Sequence, residues 1–273
     1  MKPMNSSTPE LPRITVITPS FNQAEFLDRT IRSVLDQNYP NLEYIIVDGG
    51  STDGSVDIIR KYENRLAYWV SELDRGQSHA INKGLQRATG DWVGWQNSDD
   101  VYFPETFFQL AAAANRWPLS NLIIGDMQLI DQEDKLIRDL RYVTPTYSAL
   151  IAEGMVLSNQ AAFWRRTLHE KLGYLNENLH YGFDYDWFLR ILREINHARH
   201  VPNFWGALRY HDATKTTSSQ AKFDEEFQFI LQGRELSPWV KRFYKARRLF
   251  LTLRYGHFAY ILRGIFRRSG SSL

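Results

Sequence analysis

Apolar residues in the first hundred positions fall into short continuous blocks, and the stretches between them carry helical spacing. Arg13–Ser20, RITVITPS, is β-branched and apolar until a proline stops it. Ala24–Gln37 then sets Phe26, Leu27, Ile31, Val34 and Leu35 on one helical face. LEYIIVD at Leu42–Asp48 is the next strand and runs into a turn-rich loop. VDIIRKYE follows as a helix, LAYWVSE as a strand, GQSHAINKGLQRA as a helix and DWVGWQN as a strand. Strands that alternate with helices of this length predict βαβ units and a parallel sheet. The strands are apolar at nearly every position, which fits burial on both faces.

The second half is less regular. Asn121–Val143 predicts two strands around a turn at Asp131–Lys135. Asn159–Gly173 and Asp184–Ile195 read as helices or as strand followed by helix, and Val201–His211 is strand-like. No internal repeat and no low-complexity segment interrupts the chain.

In parallel α/β sheets, ligands bind outside the carboxyl ends of the strands. Ser20 and Asn22 follow the first predicted strand, Asp48 ends the second, Glu72 and Asp74 follow the third, and Asp99 and Asp100 follow the fourth. Taken singly, each could be a helix cap or a turn residue, and Asp53, just ahead of SVDIIRKY, is best read that way. On one rim they form a constellation.

Composition bounds the chemistry. A chain of 273 residues, 43% of them hydrophobic, can bury one large core with an appendage. There are no cysteines, which excludes disulfides, zinc–thiolate sites and a catalytic thiol. MKPMNSSTPELPR has no apolar signal region, and no run of roughly 18 apolar residues predicts a spanning helix. The expected location is cytoplasmic. The net charge of +2 conceals an asymmetry: from Ser237 onward there are nine Lys or Arg and no Asp or Glu, so the body is acidic and the tail basic.

Adjacent carboxylates repel, by about 4 kcal/mol at roughly 4 Å and an effective dielectric near 20. A hard divalent cation reverses that sign, and Mg²⁺ or Mn²⁺ characteristically sits on one or two carboxylates plus substrate phosphates. The plainer account of Asp99-Asp100 is a solvated turn opening a helix at PETFFQLAAAA, with Pro104 in its first turn. Their place on the rim favours the cation.

The strings ITVITPSFNQAEFLDRTIRSVLDQNYPNLEYIIVDGGSTDGSVDII and SELDRGQSHAINKGLQRATGDWVGWQNSDD resemble the inverting, nucleotide-sugar-dependent glycosyltransferases of the A-type fold, family 2. The likeness is close over about Arg13–Phe107 and resumes at YGFDYDWFLRI and LRYHDATKT. It implies a GT-A, Rossmann-like α/β fold with a mixed, mostly parallel sheet flanked by helices. Residues 1–12 would be a flexible N-terminus, 13–236 the glycosyltransferase domain (nucleotide-sugar half 13–107, acceptor half 108–236), and 237–273 a basic helical extension.

By position, the resemblance implies that Thr18, Pro19, Ser20 and Asn22 line a nucleotide pocket and that Asp48 contacts the base or ribose. Asp74 and Lys83 would stand at the nucleotide and phosphate edge. Asp100 would ligate Mn²⁺ or Mg²⁺, Asp99 would contact ribose or sugar, and His211 would lie by the metal and diphosphate, with Lys215 adding charge. Many members carry DDGS where this chain has Asp48-Gly49-Gly50-Ser51, which moves the base contact toward Asp48 or the backbone. Asp184 in GFDYDWF occupies the place of the catalytic base, and a carboxylate is ionised at neutral pH as a base must be. Asp186 is its rival, and for both the plainer account is helix capping. His79, His169, His180, His197 and His200 receive no role.

The expected donor is a UDP, GDP or dTDP sugar, and the acceptor a glycan, lipid-linked or otherwise. The tail mixes cations with Trp239, Phe243, Phe250, Phe258 and Phe266 at helical spacing, which predicts an interfacial helix pair broken at Gly256 on an anionic membrane surface. Packing on the acidic body is the plainer account, and so many large apolar residues argue against a nucleic-acid partner. Two other functions compete: a nucleotidyltransferase making activated sugars, though TPSFNQAEF lacks a glycine- and basic-rich phosphate loop, and a catalytically silent membrane-attached scaffold.

Overall fold

The computed structural model describes residues 11–211, 220–258 and 260–261. Its centre is a nine-stranded mixed sheet whose strands lie in the order Tyr68–Ser71, Leu42–Asp48, Ile14–Ser20, Trp92–Trp95, Ala162–Arg165, Leu122–Ile130, Ala198–Arg209 and Val101–Tyr102, with Leu136–Leu140 also paired to Leu122–Ile130. The first half is the predicted alternation: β1 (Ile14–Ser20), α1 (Ala24–Leu35), β2 (Leu42–Asp48), α2 (Ser55–Lys61), β3 (Tyr68–Ser71), α3 (Gln77–Leu85) and β4 (Trp92–Trp95). All pairings within it are parallel.

Every residue of β1 is buried because both faces of the strand are covered. Ile14 and Val16, with Tyr44 and Ile46 of β2, pack toward α1 and α2; Ile17, Ile45 and Val47 pack on the other side toward α3. The apolar stripe of α1 is the one read from its spacing: Phe26, Leu27, Ile31, Val34 and Leu35 are all buried.

The second half brings antiparallel pairing. After β5 (Val101–Tyr102) and α4 (Thr106–Arg116), β6 (Leu122–Ile130) and β7 (Leu136–Leu140) form the expected hairpin around Asp131–Lys135. Then come α5 (Tyr147–Glu153), β8 (Ala162–Arg165), α6 (Thr167–Leu172), α7 (Phe183–Glu194) and β9 (Ala198–Arg209). β8 bridges the halves, antiparallel to both β4 and β6. β9 runs parallel to β6 with two register shifts, after Ile124 and after Asp126, and the offset between partners grows by three across them.

Two helices close the described chain. α8 (Gln220–Leu231) folds across the start of α7. α9 (Pro238–Arg254) begins on a first-turn proline and ends at Gly256, whose φ of +80° is a left-handed stop suited to glycine. α9 docks beside α5 through an Arg248–Glu153 ion pair and contacts from Arg247 to the Thr144 carbonyl. Most of the second helix expected after Gly256 lies outside the described residues.

Candidate active site

Four loops leave the carboxyl ends of β1, β2, β3 and β4 side by side. Thr18 and Pro19 are buried within β1, where the Thr18 hydroxyl meets the Tyr44 hydroxyl at 2.9 Å. Ser20 ends the strand with a buried hydroxyl that has no hydrogen-bond partner. Asn22 takes a left-handed φ of 50° and ties two loops together: its amide donates to Ser51 Oγ at 2.8 Å, and its Oδ1 accepts Thr52 N–H at 2.9 Å. Asp53 is the capping residue expected, accepting from Ser55 N–H below α2 and from Ala24 N–H at the start of α1.

Asp48 ends β2 inside a tight turn. It is 0% exposed, and its carboxylate accepts from the amides of Gly50 and Ser51 and from the hydroxyls of Ser51 and Ser71. The short polar residues around it absorb the charge, so in this structure Asp48 holds its own turn together. Asp74 is half-buried against Gly49, where an added Cβ would stand 2.5 Å from Asp74 Oδ2, and its Oδ1 accepts Gly76 N–H. Lys83 spends its charge on the β3 loop, paired with Glu72 at 2.8 Å.

The paired aspartates sit in different settings. Asp100 is 0% exposed: Oδ1 accepts the Arg209 amide at 2.8 Å, and Oδ2 accepts Gln160 Nε2 at 2.7 Å and Asn97 Nδ2 at 3.1 Å. Burial first, and then the charge of Asp99 beside it, push its carboxyl well above the usual carboxylate range despite those three hydrogen bonds. Asp99 is the member that meets His211, with Oδ2 and Nε2 3.0 Å apart. Phe26 backs the His211 ring at 4.9 Å. Thr30 of α1 donates to the carbonyls of Ser98 and Asp100 and holds the loop from below. Lys215 lies outside the described residues.

The donor set fits a hard divalent ion. One carboxylate oxygen and one imidazole nitrogen 3.0 Å apart have the spacing of neighbouring ligands around an octahedral ion with bonds of about 2.1 Å. Among the described residues no group of three or more His, Cys, Asp or Glu could enclose a metal. A metal held there would need further oxygens from a phosphate-bearing ligand, as Mg²⁺ and Mn²⁺ commonly take.

α7 approaches the same rim. Gln77 at the start of α3 donates to Asn97 Oδ1 at 2.8 Å, and the Gly76 beside it lies against the His180 ring. Asn82 of α3 fixes Leu175 through both its N–H and its carbonyl, and Arg75 pairs with Glu177. Phe183 packs 6.3 Å from Trp95, the last residue of β4. The first turn of α7 therefore stands beside the Asn97–Asp100 loop, with Asp184 half-buried in it. Its rival Asp186 is bound to Arg190 Nε one helical turn on at 2.9 Å, an ordinary intrahelical pair.

Three groups that matter here were not read from the sequence. Gln160 and the fully buried Arg209 secure Asp100, and Arg209 also donates to the carbonyls of Asp99, Asp131 and Gln132 and pairs with Asp134 at 2.5 Å. Glu226 of α8 caps the turn ahead of α7. All three act across distances in sequence that no local pattern records.

The sequence model of glycosyl transferase family 2 matches residues 15–196, from β1 through the start of the β9 connection. This chain is a family-2 glycosyltransferase. Membership makes it an enzyme and removes the nucleotidyltransferase and the silent scaffold. An uncharacterized glycosyltransferase of Rickettsia typhi is 27% identical over 235 residues, covering 81% of this chain and 71% of the relative. The putative teichuronic acid biosynthesis glycosyltransferase TuaG of Bacillus subtilis is 45% identical over 94 residues, 33% of this chain and 37% of TuaG. Among solved structures, S. aureus TarS 1–349 in complex with UDP-GlcNAc superposes with a TM-score of 0.67 at 20% identity, over 84% of the glycosyltransferase and 69% of that chain. Mannosyltransferase PcManGT of Pyrobaculum calidifontis, in complex with GDP-Man and Mn²⁺, gives 0.60 at 22% identity over 95% and 80%. The shared fold is GT-A, a mixed sheet flanked by helices.

Proposed function

We propose that this glycosyltransferase moves a sugar, with inversion, from a nucleotide-diphosphate sugar to an acceptor hydroxyl of a cell-surface or lipid-linked glycan, and that it does so with Mn²⁺ or Mg²⁺ bound. The observation that carries the reading is the Asp99–His211 pair at the end of β4, with Asp184 in the first turn of α7 on the same rim. Nucleotide sugars in TarS and PcManGT, and Mn²⁺ in PcManGT, support the donor class and the cofactor. TuaG supports a surface glycan as the product.

Asp99 and His211 would hold the metal, which when bound supplies charge neutralisation to the departing diphosphate. Thr18, Pro19, Ser20, Asn22 and Asp74 border the nucleotide side, over the turn that Asp48 holds. Asp184 accepts the acceptor's proton as the hydroxyl oxygen attacks the anomeric carbon. The bond from that carbon to the phosphate oxygen breaks in the same displacement, and the nucleoside diphosphate leaves. Attack opposite the leaving group inverts the anomeric configuration.

The deciding experiment is a thermal-shift series with UDP, GDP, dTDP and CDP, each with and without Mn²⁺. One nucleotide should stabilise the wild type only with metal. Asp99→Asn should lose that dependence, and Asp100→Asn should keep it. The reverse pattern would return the metal to Asp100, and no shift with any nucleotide would sink the donor assignment.

We place the protein at the inner face of the cytoplasmic membrane on the strength of α9. Its docked face carries Tyr244, Arg247, Arg248 and Thr252, while Trp239, Phe243 and Phe250 are exposed on the opposite side. Lys241, Arg242, Lys245 and Arg254 are exposed around them, which suits an anionic lipid surface at about 1 kcal/mol per cation. No helix among the described residues is long and apolar enough to cross a membrane. Flotation with phosphatidylglycerol vesicles should fail after Trp239→Ser/Phe243→Ser/Phe250→Ser; unchanged flotation removes this placement.

A further inference from the structure

The catalytic turn is capped from another element. α7 has no side-chain cap of its own at Gly182. Instead the Glu226 carboxylate of α8 accepts all three peptide N–H groups of the turn: Oε1 from His180 at 2.9 Å, and Oε2 from Tyr181 at 2.9 Å and Gly182 at 2.7 Å. Gly182 is the N-cap of α7, and His180 and Tyr181 lead into it, so the carboxylate fixes the approach to the helix and also complements the positive end of its dipole.

The rest of α8 holds Glu226 in place. Phe223 lies 5.0 Å from the Tyr181 ring, Phe227 stacks on Tyr185 at 4.3 Å and 20°, and Ile230 reaches Gly182. An added Cβ on Gly182 would stand 2.8 Å from Ile230 Cδ1, so a larger residue there would have to displace the end of that side chain. Positions 223, 227 and 230, with Glu226 among them, form one face of α8 and bracket Asp184 on both sides in sequence. The metal-side histidine and this clamp also share a chain segment, since α8 begins nine residues after His211.

We propose that Glu226 is a positioning residue for the transfer reaction: its carboxylate fixes residues 180–182 and so aims Asp184. This rests on the reading of Asp184 as the base. A misplacement of about 1 Å at such a group can cost roughly 100-fold in rate, so a small loosening of the turn would be felt in kcat. Donor binding would be spared, because the residues bordering the nucleotide lie in other loops.

The test uses the full-length enzyme and four proteins: wild type, Glu226→Gln, Asp184→Asn and Glu43→Gln. Glu43 is the control, a buried carboxylate of β2 with hydrogen bonds from Thr15, Thr89 and Arg13 and no contact with α7. Two readouts are taken: deuterium exchange of the amides at 180–186, and kcat and KM for nucleoside diphosphate release from UDP-GlcNAc, UDP-glucose, GDP-mannose and dTDP-glucose with Mn²⁺. In Glu226→Gln, exchange at 180–186 should rise tenfold or more and kcat should fall 10- to 100-fold, with donor KM within about threefold. Glu43→Gln should lower Tm with kcat unchanged. The proposal is overturned if Glu226→Gln leaves exchange or kcat at the wild-type level, or if it raises donor KM in step with the fall in kcat. Turnover retained in Asp184→Asn would instead sink the base assignment, and that outcome is separate from an inactive Asp184→Asn beside a fully active Glu226→Gln.

Discussion

The carboxylates that follow β2 and β3, Asp48, Asp53 and Asp74, are held from at most 29 residues away in sequence, whereas Asp100 after β4 and the turn ahead of α7 are held from much farther. Asp48 is satisfied largely by Gly50 and Ser51, Asp53 by Ser55, and Asp74 by Gly76. By contrast, Gly182 is fixed from 44 residues away by Glu226, and Asp100 from 60 by Gln160 and from 109 by Arg209. The loops after β1 and β2 are thus tied to one another and to β3 within the parallel part of the sheet. The β4 loop and the turn ahead of α7 are assembled only when distant parts of the chain have come together.

The sharpest test of the comparison compares the two acids of α7. Asp184→Asn should reduce kcat by about a thousandfold or more with donor binding intact, the scale expected when a base is lost together with its positioning. Asp186→Asn should stay within a few-fold, because it breaks only the pair with Arg190, which is worth about 0.5 kcal/mol. Steady-state kinetics with nucleotide titrations decide, and equal losses from both would merge their roles.

Next in size is Arg209→Met. It should cost about 3–5 kcal/mol in urea unfolding, since Asp134 and the carbonyls of Asp99, Asp131 and Gln132 lose their buried donor. Gly94→Ala, at the β4–β8 seam between the halves, should cost about 1–3 kcal/mol, because the new Cβ would sit 2.8 Å from Phe163 Cδ1. A loss in Arg209→Met below that in Gly94→Ala would show that the long-range clamp matters less than simple packing.

The smallest expected effect is a pH slope. Burial beneath Trp164 lowers His169 to about 4 from its ordinary 6.5. The fold therefore holds it neutral while the unfolded chain binds a proton below about 6.5. Stability from this group is complete above pH 6.5 and is lost as pH falls toward 4, by at most about 3 kcal/mol. His169→Leu should flatten unfolding free energy over that window; an unchanged slope would assign it to other groups.

Legibility in the sequence followed the same division. Each element of the first half is identifiable because β-branched blocks and helical spacing are local signals, and α1, β2 and α3 lie within a few residues of their expected bounds. α5 and α8 were not anticipated: α5 is a short helix of seven residues whose packing partners come from α7 and α9, and the apolar face of α8 acquires meaning only against Tyr181 and Tyr185. The acidic residues of the rim were visible as a set. Which of them face outward was not, because the inward turn of Asp48 and Asp100 depends on donors such as Ser71, Gln160 and Arg209.

The two register shifts between β6 and β9 have a consequence for insertions and deletions. Side chains alternate along a strand, so a one-residue change in phase exchanges its inner and outer sets. The three extra residues of β9 set the phase in which Arg209 points inward and Tyr210 outward. Removing one residue from the irregular stretch near 201–203 would leave Arg209, Tyr210 and His211 all in the chain, yet present each to the wrong side. In this strand, spacing is inherited information as much as residue identity is, and a loss of one codon there would silence the site without touching any residue that forms it.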